Sequence, residues 1–226
     1  MYAFRTRHGP ADLCFTARSG GDLAFGTDGT DLHRLLDDFA PGAELCDLVQ
    51  VHGADVAVVG AQSPVARPAA DALVTREPDV VLMVRAADCV PVLFHAPEIG
   101  AVGAAHCGRL GLVAGVVPRA VDQLRRWGDT SITAWIGPYV CGACYEVPEL
   151  MQQEVADAVP AARATTSRET PSLDLGAGVR AQLEAAGVAV EDVSRCTRES
   201  PDLNSYRRDG AAAGRHAGLV RLRGGR

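Results

Sequence analysis

Among the residues of this chain able to do chemistry, His52, Cys89 and His106 form the most suggestive set. Imidazole nitrogen and thiolate sulfur are the donors a borderline-soft zinc ion takes, and three such ligands with a fourth position free for water define a catalytic zinc site. On spacing alone the set has an ordinary alternative, since buried cysteines and hydrogen-bonded histidines are common in cores. Asp88, next to Cys89, is a candidate for orienting a ligand or shuttling a proton, and a turn aspartate is its plain alternative. Cys107 follows His106 directly, and strand geometry points neighbouring side chains apart, so a packing role is expected for it. Cys141 and Cys144 make a single CxxC, a weak signal for a metal or redox site without a second pair. Glu146 is a candidate general acid or base, and Ser205, Arg207 and Arg208 form a cluster suited to gripping phosphate.

The elements that must position these groups can be read coarsely. A helix capped by Thr30 or Asp31 carries Leu32, Leu35, Leu36 and Phe39 and stops at Pro41 and Gly42. A strand over 45–51 then delivers Gln50 and His52. Apolar runs at 80–84, 90–94 and 99–105 read as strands, with Asp88 and Cys89 interrupting the first two and a glycine-bearing turn at 106–109 ending the third. Residues 110–127 repeat apolar positions at helical spacing, and Pro118 predicts a kink or a later helix start. Another strand spans 132–136, Pro148 opens a helix with Leu150, Val155 and Val159, and Asp174 caps a helix that ends at Gly187.

Composition sets the bounds. The chain has 226 residues, 47% hydrophobic and 22% charged, and suits one globular domain over 1–226. A net charge of −6 argues against nucleic-acid binding. All 22 basic residues are arginine, which excludes lysine Schiff-base chemistry and a P-loop lysine. Seven cysteines without a secretory signal suggest reduced thiols, and no run has the length to span a bilayer, so a cytoplasmic protein is expected.

Six segments taken in order carry a further inference: QVHGADV from Gln50, ADALVT from Ala70, ADCVPVLF from Ala87, AHCG from Ala105, IGPYVCGACYEV from Ile136 and SYRRDGAAAGR from Ser205. Together they resemble the YfiH-like family, variously called laccase-domain proteins, polyphenol oxidases and purine nucleoside phosphorylases, over nearly the whole chain. The resemblance places the family's metal-binding histidine, cysteine and histidine on His52, Cys89 and His106. It implies an α/β fold, a single layered domain with mixed β-sheets inside and flanking helices, mostly monomeric. It also implies phosphorolysis of adenosine, inosine or methylthioadenosine, and hydrolytic deamination of adenosine. Zinc is the implied cofactor, with copper a lesser alternative. Nucleoside and phosphate are the implied partners, with Gln50, Arg109, Ser205, Arg207 and Arg208 as candidate substrate-binding residues and Asp88 and Glu146 as candidate catalytic ones.

Two segments depart from the family pattern. Residues 19–29 read SGGDLAFGTDG where relatives carry a serine, leucine and asparagine motif, and the only asparagine here is Asn204. After His106, Arg109 stands where relatives commonly have tryptophan. Other readings carried forward are a zinc amidase acting on peptidoglycan precursors, a specialised relative with another small substrate, a copper polyphenol oxidase, and a non-enzymatic nucleotide- or partner-binding protein. A fourth metal ligand from Cys107, Cys141 or Cys144 would favour the last.

Overall fold

Strands built from continuous apolar runs form the centre of the molecule. The computed structural model describes residues 1–60 and 67–224. Its strands are β1 (Tyr2–His8), β2 (Ala11–Thr16), β3 (Glu44–Cys46), β4 (Val56–Val59), β5 (Ala72–Thr75), β6 (Val80–Ala86), β7 (Val90–Ala96), β8 (Ala101–Cys107), β9 (Thr133–Ile136), β10 (Arg163–Thr165), β11 (Pro171–Leu173), β12 (Ala189–Asp192) and β13 (His216–Leu222). The helices are α1 (Thr30–Phe39), α2 (Arg109–Ala114), α3 (Val116–Arg125), α4 (Glu149–Ala158), α5 (Leu175–Ala185) and the single turn α6 (Tyr206–Asp209). One mixed sheet runs β1-β2-β13-β6-β3, a second runs β12-β9-β7-β8-β5-β4, and β10 pairs with β11 apart from both.

Period-two alternation sorts the side chains into three apolar layers. Leu13, Phe15, Leu82, Val84 and Val220 of the first sheet meet Leu73, Leu93, Val102, Ala104 and Trp135 of the second. On the outer side of the first sheet, Cys14, Val81, Met83 and Leu219 pack against Leu35 and Phe39 of α1. On the outer side of the second sheet, Val92, Phe94, Ala105 and Cys107 pack against α3, α4 and α5 through Val117, Val121, Val155 and Val179. The order is therefore helix, sheet, sheet, helices. Sheets covered on both faces read as continuous apolar runs, which is why β6, β7 and β8 are legible in the sequence. Each fully buried Phe or Leu contributes roughly 1.5–3 kcal/mol to this arrangement.

The structure corrects three local expectations. The strand expected over 45–51 is only Glu44–Cys46, so Gln50 and His52 sit on a loop. The break in the 110–127 stretch falls at Gly115 (φ +77°), which ends α2 and starts α3, while Pro118 lies in the first turn of α3, where no intrahelical N–H is missed. Helix α1 is preceded by Gly29 in the left-handed region, and Asp28, not Thr30 or Asp31, accepts the Thr30 N–H (2.9 Å). Asp174 does cap α5, accepting the Ala177 N–H at 2.9 Å. No helix among the described residues is long and apolar enough to cross a membrane.

Candidate metal centre and substrate cavity

Three separate segments converge to place an imidazole, a thiol and a second imidazole together. His106 lies at the end of β8 and is buried, Cys89 sits half-buried in the bend between β6 and β7, and His52 is exposed on the loop ahead of β4. Their ligand atoms all lie within 4.8 Å of one another. The Cys89 Sγ stands 3.9 Å from His52 Nε2, and the two imidazoles meet edge to face with centroids 4.8 Å apart.

Asp71 organises this site, a role for which the sequence offers Asp88 as one candidate. It is fully buried just before β5, and its carboxylate accepts a hydrogen bond from His106 Nδ1–H at 2.8 Å. That bond fixes the tautomer and turns His106 Nε2 toward Cys89 and His52. The same carboxylate accepts the backbone N–H groups of Val51 (3.2 Å), His52 (3.0 Å) and Gly53 (2.7 Å). One buried anion thus holds the loop that carries His52, whose φ of +59° is a left-handed conformation unusual for a side-chain-bearing residue. The aspartate of the ADALVT segment was the available sequence signal, and only its contacts reveal the role.

The charges reinforce each other. Burial alone would raise the Cys89 thiol, but the His106 and His52 imidazoles outweigh it and bring the thiol down to about 6. Burial would lower His106, yet the Cys89 thiolate and Asp71 raise it to about 9. Without a metal the two groups therefore stand as a thiolate–imidazolium pair, and a cation bound here would displace the imidazolium proton. Cys107 points to the opposite face of β8 into the helix-side core, and burial raises its thiol beyond the usual range. No fourth protein ligand joins the three among the described residues.

Gly108 closes one side of the triad. A Cβ built there would stand 2.7 Å from His52 Cδ2 and 3.2 Å from Cys89 Sγ, although the backbone (φ −84°) admits any residue. Gly108→Ala is therefore expected to leave folding intact and weaken metal retention about ten- to a hundredfold by displacing the His52 ring. A zinc competition titration reads this, and unchanged affinity would show that the ring yields without cost.

The triad opens into a cavity of about 920 Å³. Phe25, Tyr145 and Tyr206 supply aromatic surface to its wall, Arg207 and Arg215 supply positive charge, and the Arg85 guanidinium beside them is paired with the buried Asp47 carboxylate at 2.7 Å. No local sequence pattern marks Phe25, Arg85 or Arg215 as lining residues. Phe25 is the aromatic residue of the divergent 19–29 segment, and the Arg67 and Arg85 guanidiniums lie over its ring at 4.7 and 4.2 Å.

The other candidate residues separate clearly. Arg207 lies with its guanidinium over the Tyr145 ring at 4.7 Å and reaches the cavity. Asp88 holds it there: one carboxylate oxygen accepts the Arg207 backbone N–H and the other the Thr197 hydroxyl, both at 2.6 Å. Asp88 itself is left-handed (φ +90°) and lines the cavity beside Cys89. Arg208, by contrast, directs its guanidinium to the carbonyls of Thr197, Ser200 and Leu203 and to the Asp209 carboxylate. Those contacts engage all five N–H donors and leave none for phosphate. Ser205 is buried and caps α6 by accepting the Arg208 N–H. Gln50 lines the cavity while exchanging two 2.8 Å bonds with the Arg85 backbone. Arg109 begins α2 near Tyr145, whose hydroxyl is raised by burial and the Cys89 charge, with Arg207 and Arg109 offsetting only part of the rise. Glu146 pairs with Arg168 in an adjoining recess shared with Arg198 and Arg207, away from the three metal donors.

Comparison with known proteins follows the same outline. Residues 31–223 match the family described as multi-copper polyphenol oxidoreductase laccase. A protein of Streptomyces coelicolor named purine nucleoside phosphorylase is 55% identical over 179 residues, covering 76% of this chain and 73% of its own. One of Deinococcus radiodurans with the same name is 38% identical, covering 92% and 88%. The crystal structure of YlmD from Geobacillus stearothermophilus superimposes with a TM-score of 0.85 at 28% identity, covering 96% of this chain and 93% of that one. A Neisseria meningitidis protein also gives 0.85, at 27% identity, over 98% and 99%.

Proposed function

Since the chain belongs to the laccase-domain family described as multi-copper polyphenol oxidoreductase laccase, with relatives named purine nucleoside phosphorylase, we propose that it is a zinc-dependent purine nucleoside phosphorylase. Its substrates in this reading are adenosine, inosine or methylthioadenosine together with inorganic phosphate, and it also deaminates adenosine. The observation that carries the reading is the position of the nitrogen, sulfur and nitrogen donors in the wall of a cavity that also presents aromatic faces and arginines.

His52, Cys89 and His106 fit a zinc ion by donor type and convergence. Zinc supplies Lewis acidity at that point of the cavity. The chain's own residues do the rest. Asp71 holds His106 in the tautomer that offers Nε2, and its backbone contacts keep the His52 loop in place. Phe25, Tyr145 and Tyr206 offer flat apolar surface to a purine. Arg207, held on Tyr145 and anchored through its backbone to Asp88, offers guanidinium donors to phosphate. Phosphate oxygen then attacks the anomeric carbon, the glycosidic bond breaks, and its electron pair leaves with the purine. Asp88 is in this scheme a positioning residue for Arg207. Copper-dependent phenol oxidation has less support, because among the described residues this triad and one cysteine-rich group are the two constellations suited to metal, and neither resembles a copper cluster.

The test is an assay of zinc-loaded protein with adenosine and inosine, with and without phosphate. Phosphate-dependent release of adenine or hypoxanthine, with inosine formed from adenosine in its absence, is expected. The absence of both base release and deamination would overturn the reading. Arg207→Ala is expected to raise the KM for phosphate by about tenfold to a hundredfold, as loss of a charge-assisted bond implies. Arg208→Ala should instead lower thermal stability. An unchanged phosphate KM in the Arg207 variant would remove that residue from phosphate binding.

A further inference from the structure

We propose that Cys141, Cys144, Cys196 and Glu199 form a second metal site, separate from the His52–Cys89–His106 centre, which takes zinc in a closed, structural role. Three thiols and one carboxylate bring their ligand atoms within 4.8 Å of one another. Zinc–sulfur bonds of about 2.3 Å put tetrahedral ligands about 3.8 Å apart, so the observed spread needs only a small contraction around an ion. Three sulfur donors select zinc over magnesium or calcium. Four protein donors leave no position for substrate, which distinguishes this site from the open triad.

The backbone prepares the arrangement. Residues 141–144 turn back on themselves, with the Cys141 carbonyl accepting the N–H groups of Cys144 (2.9 Å) and Tyr145 (3.0 Å). This turn sets both thiols of the CxxC on a common side, as in a zinc knuckle. Cys196 arrives from a distant segment through a parallel bridge to Tyr139, supported by the Thr197 N–H to Tyr139 carbonyl bond at 2.9 Å. The Ser200 N–H then bonds the Cys196 carbonyl at 3.0 Å and folds Glu199 back toward the thiols.

All three cysteines are free. Burial and then the Cys196 and Cys144 thiols push Cys141 up to about 12, and burial and Cys196 likewise raise Cys144. Zinc binding here would displace the thiol protons to solvent as the three Zn–S bonds form. A disulfide would leave one thiol and the carboxylate uncommitted, and would require an oxidant.

The site has a structural consequence. A metal here fastens residues 141–144 to 196–199; Val140, next to the first segment, donates its N–H to the Asp88 carbonyl (3.1 Å), and Thr197 of the second donates its hydroxyl to the Asp88 carboxylate (2.6 Å). Asp88 in turn anchors Arg207 at the cavity.

The inference does not depend on the proposed activity and is tested without it. The His52→Ala/Cys89→Ser variant, loaded with zinc and desalted, is expected to keep one zinc per chain, and adding Cys141→Ser should remove it. In parallel, wild-type protein is alkylated with and without zinc, and labelled cysteines are mapped by mass spectrometry. Zinc should slow alkylation of Cys141, Cys144 and Cys196 by about tenfold or more, and a chelator should restore it. A double variant that holds no zinc, together with equal alkylation of these three thiols in wild type with and without zinc, would overturn the proposal. So would a disulfide among them in protein prepared with reductant and zinc.

Discussion

Cys89→Ser is expected to reduce kcat/KM for phosphate-dependent base release by about a thousandfold or more, while the protein remains folded and loses metal from the triad alone. The serine hydroxyl stays protonated at neutral pH and cannot replace the thiolate as a ligand. In the wild type, the two imidazoles bring the thiol to about 6, so thiolate is already present at pH 7. The side chain stands in a bend between β6 and β7 and is absent from the three apolar layers, so its exchange costs little packing. Activity assays paired with metal analysis separate the two effects. A variant that lost the triad's zinc yet kept wild-type base release would remove the metal from the reaction.

The second large effect belongs to Asp71, and it is as much structural as functional. Asp71→Asn should cost about 3–5 kcal/mol of stability, because an amide NH₂ faces donors where a buried carboxylate accepted four hydrogen bonds. Zinc affinity at the triad should fall a further ten- to hundredfold through the unoriented His106 ring. Urea unfolding of the metal-free protein and a competition titration measure the two separately. The acid limb offers a further check. Burial would raise the Asp71 carboxyl, but His106 and the N–H groups of Gly53 and Val51 outweigh it and hold it below the ordinary value. A carboxyl depressed in the folded state stabilises above its unfolded pKa of about 3.9, and that contribution is lost as pH falls through the folded value. The wild type should therefore lose stability on acidification below about pH 4 more steeply than Asp71→Asn. Equal acid limbs and equal stabilities would mean that the loop holds itself without the carboxylate.

These two residues also show where sequence reasoning and structure part. Cys89 was legible because its residue type and its place between two apolar runs are both local properties. Asp71 stands in the ADALVT segment, but sequence proximity to Cys89 favours Asp88. The hydrogen bond that matters joins Asp71 to His106, 35 positions away, and a contact of that kind leaves no mark on local spacing. Arg207 and Arg208 make the same point in the opposite direction. As adjacent arginines they looked alike, yet a one-residue shift around the short α6 turn sends one guanidinium to the cavity and the other to three backbone carbonyls. The CxxC, weak by itself, became part of a four-donor group only when the fold brought Cys196 and Glu199 to it.

The sequence by itself determined the α/β class, since the doubly covered strands β6, β7 and β8 must be apolar throughout and their runs are visible. It also singled out three side chains that the fold brings together, and it excludes lysine chemistry. The tertiary structure decided which carboxylate orients the triad, which arginine is free to meet an anion, and which thiols can share an ion. Those outcomes depend on directed contacts a few ångströms long between segments far apart in the chain, and burial decides which of them count, because a charge removed from water must find its partner within the fold.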